Sequence, residues 1–414
     1  MADLIPRFVV LFLLFLTTAA VQADDWPGFR GPTGQGHATE VGLPIEWGET
    51  QNVAWKTRVE GLGWSSPVVA DGRLWLTSAV TGAPKSGRSL RLLGFDVETG
   101  EQVVSSEVFA VDDEQAPNPK NSLASPTPVV SGDRVYVHFG AYGTAALTTS
   151  GDLVWTAHFP YVTQHGNGGS PIVYGDLLIF SCDGYDQAFV VALDVETGKI
   201  RWKTARQSPI SQAYSTPVVI EVGGKDQVVS IGAFRTTAFA PETGDEIWTV
   251  DYPDGFSNVP APAYSRDHGI VFIATGFNSP TFIAVRADGS GNVTDTHVAW
   301  TLRRGAPLTP SPLVVGDEVY IVSDTGIATC LDIVTGEQRW RERLGGNYSA
   351  SPLFVDGRIY FQSEEGITTV IAPGTSYQEV SKNELDGVTL ASPAVSDGSF
   401  FIRSHSHLYR ISAG

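Results

Sequence analysis

Polar and aromatic side chains stand directly before most copies of a repeated Ser-Pro or Thr-Pro pair, and their types are those of a small-molecule site. A ring of such groups can donate hydrogen bonds to a ligand and stack against it. The sequence therefore predicts a binding funnel, formed where these segments converge. The candidate residues are Trp64, Lys120, Asn121, His165, Asn167, Gln212, Tyr214, Asn258, Asn347 and Tyr348.

His165 is the best candidate for an acid or base, because imidazole titrates near neutral pH and the glycines around it allow close approach. No nucleophile or carboxylate can be assigned beside it, so no catalytic residue is predicted. The sequence also contains no GxxxxGK[ST], HExxH or GxSxG motif.

Other reactive side chains have simpler interpretations, and no metal site is predicted. His405 and His407 would lie on one face of a strand, but a pair without a third ligand is more often structural. Carboxylates after Cys182 and at Glu364-Glu365 are interpreted as solvated turns on the face opposite the funnel. Cys182 and Cys330 lie in distant repeats, which predicts two buried thiols and no disulfide.

One phrase positions all these residues: a small residue, a proline, an apolar pair, a tight turn and a short hydrophobic strand. Strand-rich periods of about 40–50 residues are typical of propellers. Proline suits the first residue of a strand, since it cannot donate to the ladder. The prolines of the eight copies are Pro67, Pro128, Pro171, Pro217, Pro262, Pro312, Pro352 and Pro393.

A second phrase, of the form Asp-x-x-Thr-Gly-x-x-x-Trp, predicts a hairpin between two outer strands, with the indole between neighbouring sheets. It begins at Asp194 and again at Asp332. The last repeat lacks this outer strand. Residues 52–57 resemble such a strand, but no inner strands of a repeat precede them. The sequence therefore predicts an all-β, eight-bladed propeller of four-stranded antiparallel blades, closed by an N-terminal strand. Seven blades remain an alternative, because 61 residues separate Pro67 from Pro128.

The N-terminal region divides into two parts ahead of the propeller, which is predicted over 52–414. Residues 1–23 have the pattern of a cleaved signal peptide, with Arg7, an apolar run over 8–16 and small residues at 21–23. No cysteine lies near the predicted cleavage site, so the sequence contains no lipobox. Residues 24–51 are rich in Gly and Pro and predict an extended surface clamp, with Trp26 and Phe29 packed in a crevice between blades.

The net charge of the chain excludes some classes of binding partner. The formal net charge of −18 disfavours nucleic acid and anionic membranes. The signal peptide predicts a protein of the periplasm or the exterior, and its apolar run is too short to span a membrane. We expect the mature protein to be a monomer.

The two phrases together resemble the pyrroloquinoline quinone (PQQ)-like repeat family of eight-bladed propellers. One branch contains dehydrogenases that hold PQQ and calcium at the ring axis and oxidise alcohols or sugars. Its alcohol dehydrogenases carry an adjacent Cys-Cys pair, which this chain lacks. The other branch contains BamB, a scaffold lipoprotein of outer-membrane protein assembly, and exported propellers of similar size.

The resemblance implies a noncatalytic scaffold for protein partners in the cell envelope, with no cofactor expected. A PQQ- and calcium-dependent dehydrogenase is one alternative. A carbohydrate- or peptide-binding propeller is another, and a small-molecule ligand remains possible.

Overall fold

Eight antiparallel sheets surround a central axis, which confirms the predicted eight-bladed propeller. The computed structural model describes residues 25–81, 87–112, 118–277 and 279–413. The predicted signal peptide lies outside these residues. Inner strands of neighbouring blades contact one another, and in blades 1–7 the four blade strands follow outward in chain order.

The first strand in the chain is β1 (Val53–Arg58), and three blades of four strands follow it. Blade 1 contains β2 (Val68–Ala70), β3 (Arg73–Thr81), β4 (Arg88–Asp96) and β5 (Gln102–Val111). Blade 2 contains β6 (Val129–Ser131), β7 (Arg134–His138), β8 (Thr144–Thr148) and β9 (Leu153–Ala157), with a 3-10 turn at Gly140–Tyr142. Blade 3 contains β10 (Ile172–Tyr174), β11 (Leu177–Asp183), β12 (Ala188–Asp194) and β13 (Ile200–Ala205).

The next two blades share an inserted strand. Blade 4 contains β14 (Val218–Val222), β15 (Lys225–Ile231), β16 (Arg235–Phe239) and β17 (Glu246–Asp251). Blade 5 contains β18 (Ala263–Ser265), β19 (Ile270–Thr275), β20 (Thr281–Arg286) and β22 (Val298–Leu302). Between β20 and β22, the short strand β21 (Gly291–Asn292) pairs in parallel with β17 and covers the outer edge of blade 4.

The remaining strands complete the ring. Blade 6 contains β23 (Leu313–Val315), β24 (Glu318–Val322), β25 (Ile327–Asp332) and β26 (Gln338–Arg343). Blade 7 contains β27 (Leu353–Val355), β28 (Arg358–Gln362), β29 (Ile367–Ile371) and β30 (Glu379–Glu384). Blade 8 contains β31 (Ala394–Ser396), β32 (Ser399–Arg403) and β33 (His407–Ser412), with β1 as its fourth strand.

Closure of the ring follows the prediction, because β1 pairs antiparallel with β33. Without β1, the edge of β33 would be open to pairing with other chains. The 61-residue interval also has an explanation: β3 and β4 have nine residues each and β5 has ten. The interval therefore holds one long blade and no irregular one, which excludes the seven-bladed alternative.

The repeated tryptophan locks one blade to the next at five of the eight blade interfaces among the described residues. Trp155 of blade 2 donates from Nε1 to the carbonyl of Val195 in the outer turn of blade 3, at 2.8 Å. Trp248 departs from the rule and donates to Gln227 within its own blade. The other pairs of this kind are Trp55 with Val97, Trp202 with Pro241, Trp300 with Ile333, and Trp340 with Gly374.

The glycine of this turn is required for two separate reasons, its backbone conformation and its contact with the indole. Gly198 has a φ of 67°, and a Cβ added there would lie 2.6 Å from the Trp155 indole. Positive φ alone favours glycine. Contact with the indole adds a steric requirement, so the turn and the tryptophan form one structural unit.

We expect Gly198→Ala to destabilise the protein more than Gly175→Ala does. Gly175 also has a positive φ, 56°, but an added Cβ would meet nothing within 4 Å. The control should cost about 1 kcal/mol of backbone strain, and Gly198→Ala should cost about 1–2 kcal/mol more because of overpacking. Urea unfolding of both variants measures the difference. Equal losses would contradict the interlock.

Both cysteines are free and buried, as predicted. Burial raises the pKa of Cys182 well above that of an ordinary thiol, and that of Cys330 to about 12. Both thiols therefore stay protonated at neutral pH and pack as small apolar groups.

Candidate functional site on the propeller axis

Residues 25–40, here called the axial segment, run along the inner strands rather than over the surface. Trp26 exchanges two backbone hydrogen bonds with Val69 of blade 1, at 2.8 and 2.9 Å, and Val130 of blade 2 donates to the carbonyl of Pro27. Trp26 is only 2% exposed. The clamp expected over the surface therefore lies on the axis instead. Trp26 packs in a hydrophobic cluster of blades 1, 7 and 8, and Phe29 packs against a cluster of blades 4 and 5.

The axial segment continues to blades on the other side of the ring. The side chain of Gln35 accepts a hydrogen bond from the backbone of Tyr264 in blade 5. His37 Nε2 donates to the carbonyl of Val314 in blade 6, at 2.7 Å, and Phe354 of blade 7 bonds to the backbone around His37. Sixteen residues therefore reach inner strands all around the ring, and this is possible only near the axis.

Arg30 is the buried cation of this segment. It is 3% exposed and donates from Nη2 to the carbonyls of Gln35 and Pro312, both at 2.8 Å. Its Nε and Nη1 have no partner among the described residues. Burial lowers the pKa of Arg30 to about 9. The guanidinium thus ties the segment to blade 6 without a carboxylate.

Hydroxyl groups connect the blades at the axis. The residue before each repeated proline is Ser or Thr in every repeat except the fifth, which has Ala261. Its hydroxyl accepts a hydrogen bond from the equivalent backbone N–H of the preceding blade. Six such bonds of 2.9–3.0 Å occur among the described residues, from Ser66 to Thr127, Thr127 to Ser170, Ser170 to Thr216, Ala261 to Ser311, Ser311 to Ser351, and Ser351 to Ser392.

A small cavity of about 120 Å³, the upper pocket, lies at this ring of hydroxyls. Of the predicted residues, Trp64, Lys120, Asn121 and Tyr214 line it. Nε1 of Trp64 and the hydroxyl of Tyr214 are buried without a hydrogen-bond partner among the described residues. Unpaired buried polar atoms of this kind are unfavourable unless water or a ligand satisfies them. Two residues that line the upper pocket thus carry such an atom.

Asn121 holds the His165 loop rather than leaving it free. Its Nδ2 donates to the carbonyl of His165 and, at 3.4 Å, to that of Asn167. Neither His165 nor Asn167 lines the upper pocket. The His165 ring forms no hydrogen bond or ion pair with another described residue, so no acid–base pair exists around it.

The remaining predicted residues lie outside the lining of the upper pocket. Asn258 is fully buried and donates to the carbonyl of Gly232, at 2.8 Å. Gln212 is also buried, with its Nε2 on Ser257 and its Oε1 without a partner among the described residues. Asn347 donates to Glu365, and Tyr348 belongs to a hydrophobic cluster between blades 6 and 7.

The carboxylates of the turns were predicted on the face opposite the funnel, and this prediction is wrong. They lie on the same face as the loops that precede the inner strands. Glu364 forms an ion pair of 2.7 Å with Lys120 of the upper pocket and accepts a 2.6 Å bond from Ser349. A chain that runs outward through four strands brings its second and fourth connections to the same face. Placing these carboxylates on the opposite face would require them to follow the first strand of the blade, whereas they follow the second.

Asp183 was predicted in a solvated turn and is instead buried. It accepts two bonds from Arg206, 2.6 Å from Nε to Oδ1 and 2.9 Å from Nη2 to Oδ2. The two side chains are 2% and 1% exposed. Burial raises the pKa of Asp183, and the bonds from Arg206 oppose this effect. The ion pair lies within blade 3 and next to Ser230 of blade 4.

His405 and His407 show no arrangement of metal ligands. His407 bonds through Nδ1 to Ser406, and His405 is exposed. Within the described residues, no group of three or more His, Cys, Asp or Glu side chains is placed to hold a metal ion.

A larger cavity of about 730 Å³, the lower cleft, opens at the other end of the axis. The axial segment forms one wall, and inner strands β6, β10, β14 and β18 form the other. Phe29 lines both cavities. This cleft was not predictable from the sequence, since its wall depends on where the axial segment lies, and no repeat specifies that position.

Eight blades, hydroxyl-linked inner strands and tryptophan–turn interlocks define a PQQ-like repeat propeller. The family model described as outer membrane protein assembly factor BamB matches residues 37–229, 144–290 and 232–376, and the chain belongs to this family. No curated protein sequence matches the chain.

Solved structures share the fold at low sequence identity. BamB from Moraxella catarrhalis has a TM-score of 0.62 and 13% identity, over 87% of this chain and 97% of that one. Quinohemoprotein alcohol dehydrogenase from Comamonas testosteroni has a TM-score of 0.54 and 10% identity, over 94% and 81%. The computationally designed Ika8 protein has 0.57 and 11%, over 89% and 100%. An outer membrane protein assembly factor, an alcohol dehydrogenase and a computational design therefore share this architecture, and function must be argued from the site.

Among the described residues, no helix is long and apolar enough to cross a membrane.

Proposed function

We propose that this protein is an exported, noncatalytic scaffold that binds protein partners in the cell envelope. Membership of the BamB family supports the envelope location and the class of partner. The observation that carries the proposal is the contrast between the two ends of the axis. The upper pocket is small and its charge is paired, whereas the lower cleft is about six times larger and lined by strand edges.

Catalysis has little support at the upper pocket. Within the described part of the chain, one charged residue lines it, Lys120, and this side chain is paired with Glu364. His165 lies outside the lining, and its ring contacts no carboxylate among the described residues. General acid–base chemistry needs such groups within hydrogen-bond reach of a substrate. The geometry therefore favours binding over reaction.

The upper pocket also fits PQQ and calcium poorly. Pockets that bury a ligand of drug size span about 300–1,000 Å³, and this one has about 120 Å³. Calcium prefers several oxygen ligands, with carboxylates prominent among them, and no Asp or Glu of the described residues lines the pocket. We therefore assign no step to this cofactor.

Titration of the purified protein with PQQ and calcium tests the noncatalytic part of the proposal. We expect no saturable uptake at micromolar cofactor and no dye-linked oxidation of alcohols or sugars. Saturable uptake accompanied by oxidation would overturn it in favour of the dehydrogenase alternative. In parallel, chemical cross-linking in the native envelope should yield a discrete protein partner, and recovery of the uncoupled monomer alone would contradict the scaffold role.

A further inference from the structure

Each inner strand has a residue, two positions after its repeated proline, whose backbone N–H and C=O point toward the axis. The strand β14 is longer and has a second residue of this kind, Glu221, whose carbonyl accepts a hydrogen bond from the Tyr264 hydroxyl. Hydrogen-bonded and non-hydrogen-bonded pairs alternate along antiparallel strands, and the residue two positions after the proline belongs to a non-hydrogen-bonded pair. Its backbone groups are therefore directed away from the partner strand. The bonds between Trp26 and Val69 show this directly. The equivalent residues are Val69, Val130, Val173, Val219, Tyr264, Val314, Phe354 and Val395.

The axial segment already occupies five of these positions. It bonds to Val69, Val130 and Phe354 through its backbone, and to Tyr264 and Val314 through side chains. The inward groups of Val173, Val219 and Val395 have no partner among the described residues. Val395 is 1% exposed, whereas Val173 and Val219 are partly exposed and line the lower cleft.

We propose that the lower cleft binds an extended peptide segment of a partner protein, which adds as a strand to the free edges of β10 and β14. The proposal rests on the scaffold function and identifies the site and the chemistry of its partner. Addition of a strand to an exposed edge derives affinity from backbone bonds and specificity from side-chain pockets.

The axial segment shows what kind of occupant these edges take. Its consecutive residues Trp26 and Pro27 bond to Val69 and Val130, which belong to adjacent blades. Val173 and Val219 are the same pair of positions two blades further around the ring. A second stretch of extended backbone can therefore continue the pattern that the first one begins.

The lining specifies the side chains of the peptide. The floor is apolar, with Ile172, Val173 and Val219 among its residues. Of the charged side chains that line the cleft, Arg266 is paired with Glu221 at 3.2 Å, and Asp267 forms no ion pair with a described residue. Beside the lining, Asp226 and Glu242 lie 3.0 Å and 3.2 Å from the hydroxyl of Tyr174. One hydroxyl proton satisfies only one of these exposed carboxylates at a time. The cleft therefore favours a peptide with an apolar centre and Lys or Arg at its ends.

Two pools of acetylated, amidated pentapeptides test the proposal by fluorescence anisotropy with the full-length mature protein. One has the pattern Lys-X-X-X-Lys and the other Glu-X-X-X-Glu, where X is Val, Ile, Thr, Phe or Tyr. We expect saturable binding of the lysine pool, weaker at high salt, and none of the glutamate pool. Absence of saturable binding by the lysine pool, or equal binding of both, would overturn the proposal.

Val173→Pro and Val219→Pro delete the inward N–H groups and leave the bonds to β11 and β15 intact. Together they should weaken binding of the lysine pool by about tenfold or more, since each lost hydrogen bond costs roughly 1 kcal/mol. Val173→Thr with Val219→Thr keeps both N–H groups and should bind as the wild type does. Unchanged binding by a folded proline variant would overturn the proposal.

Two further controls keep the outcomes distinct. N-methylation of the three central peptide residues removes the donors without changing the protein, and should abolish binding even if the proline variants fail to fold. If the peptides fail while envelope cross-links persist in the proline variants, the strand-addition proposal is wrong and the scaffold function stands.

Discussion

Exchanging Arg206 for alanine is expected to lower the free energy of unfolding by about 3–5 kcal/mol. The change leaves Asp183 buried without its two-bonded partner, and breaking a buried ion pair from one side has this magnitude. Arg206 also donates to Ser230 of the next blade, at 2.8 Å. Denaturant unfolding measures the loss.

Arg201→Ala is the matched control for this prediction. Arg201 lies in the same blade and pairs with Asp176 and Asp194, but its side chain is 44% exposed. Exposed pairs contribute about 0–1 kcal/mol. Similar losses for Arg201→Ala and Arg206→Ala would contradict the assignment of Arg206–Asp183 as a buried, structural pair.

Acidification from pH 7 to pH 4 is expected to destabilise the protein by about 3 kcal/mol through His138 alone. Burial lowers the pKa of His138 from 6.5 to about 3. Its ring is fully buried, bonds to Thr144 and packs 4.5 Å from the Phe180 ring. Between pH 6.5 and pH 3 the unfolded chain binds a proton that the folded one does not, so stability falls with pH, by about 1.4 kcal/mol per pH unit.

His138→Gln removes this titration while keeping a hydrogen-bonding group near Thr144. The stability difference between wild type and variant should change by about 3 kcal/mol from pH 7 to pH 4, as measured by urea unfolding at each pH. His405→Gln, at an exposed position, controls for loss of a histidine as such. A constant difference across this range would contradict a buried, neutral His138.

The fold was predictable because repetition makes each strand visible several times. The Ser-Pro phrase specified the inner strands, and the tryptophan phrase specified the outer ones. Ring closure followed from a missing strand at one end and a surplus strand near Trp55. These inferences need only local turn chemistry and the cost of an open sheet edge.

The site was less predictable, because its residues do not repeat. Trp64, Asn121 and Tyr214 converge on the upper pocket, whereas Asn258 and Tyr348 are equally polar or aromatic in sequence and serve the scaffold. Only packing distinguishes the two groups. Ser or Thr before nearly every repeated proline could have predicted the hydrogen-bond ring at the axis. If that position required only a small side chain, Ala or Gly would occur there as well.

The axial segment could not be placed from sequence for a different reason. Its composition predicts extended chain, and extended chain can pair with any free edge. Its position depends on long-range bonds such as those from Trp26 to Val69 and from Arg30 to Pro312. The lower cleft is what this segment leaves open, so it appears only in three dimensions.

Site-specific photo-crosslinking in the native envelope tests most directly whether this propeller binds a partner through the lower end of its axis. Tyr174 in the lower cleft is replaced by p-benzoyl-phenylalanine, and Val103, 50% exposed on an outermost strand, is replaced likewise as the control. We predict a discrete protein adduct from position 174 that disappears with Val173→Pro and Val219→Pro, and none from position 103. Absence of an adduct at position 174, or equal adducts at both positions, would contradict it.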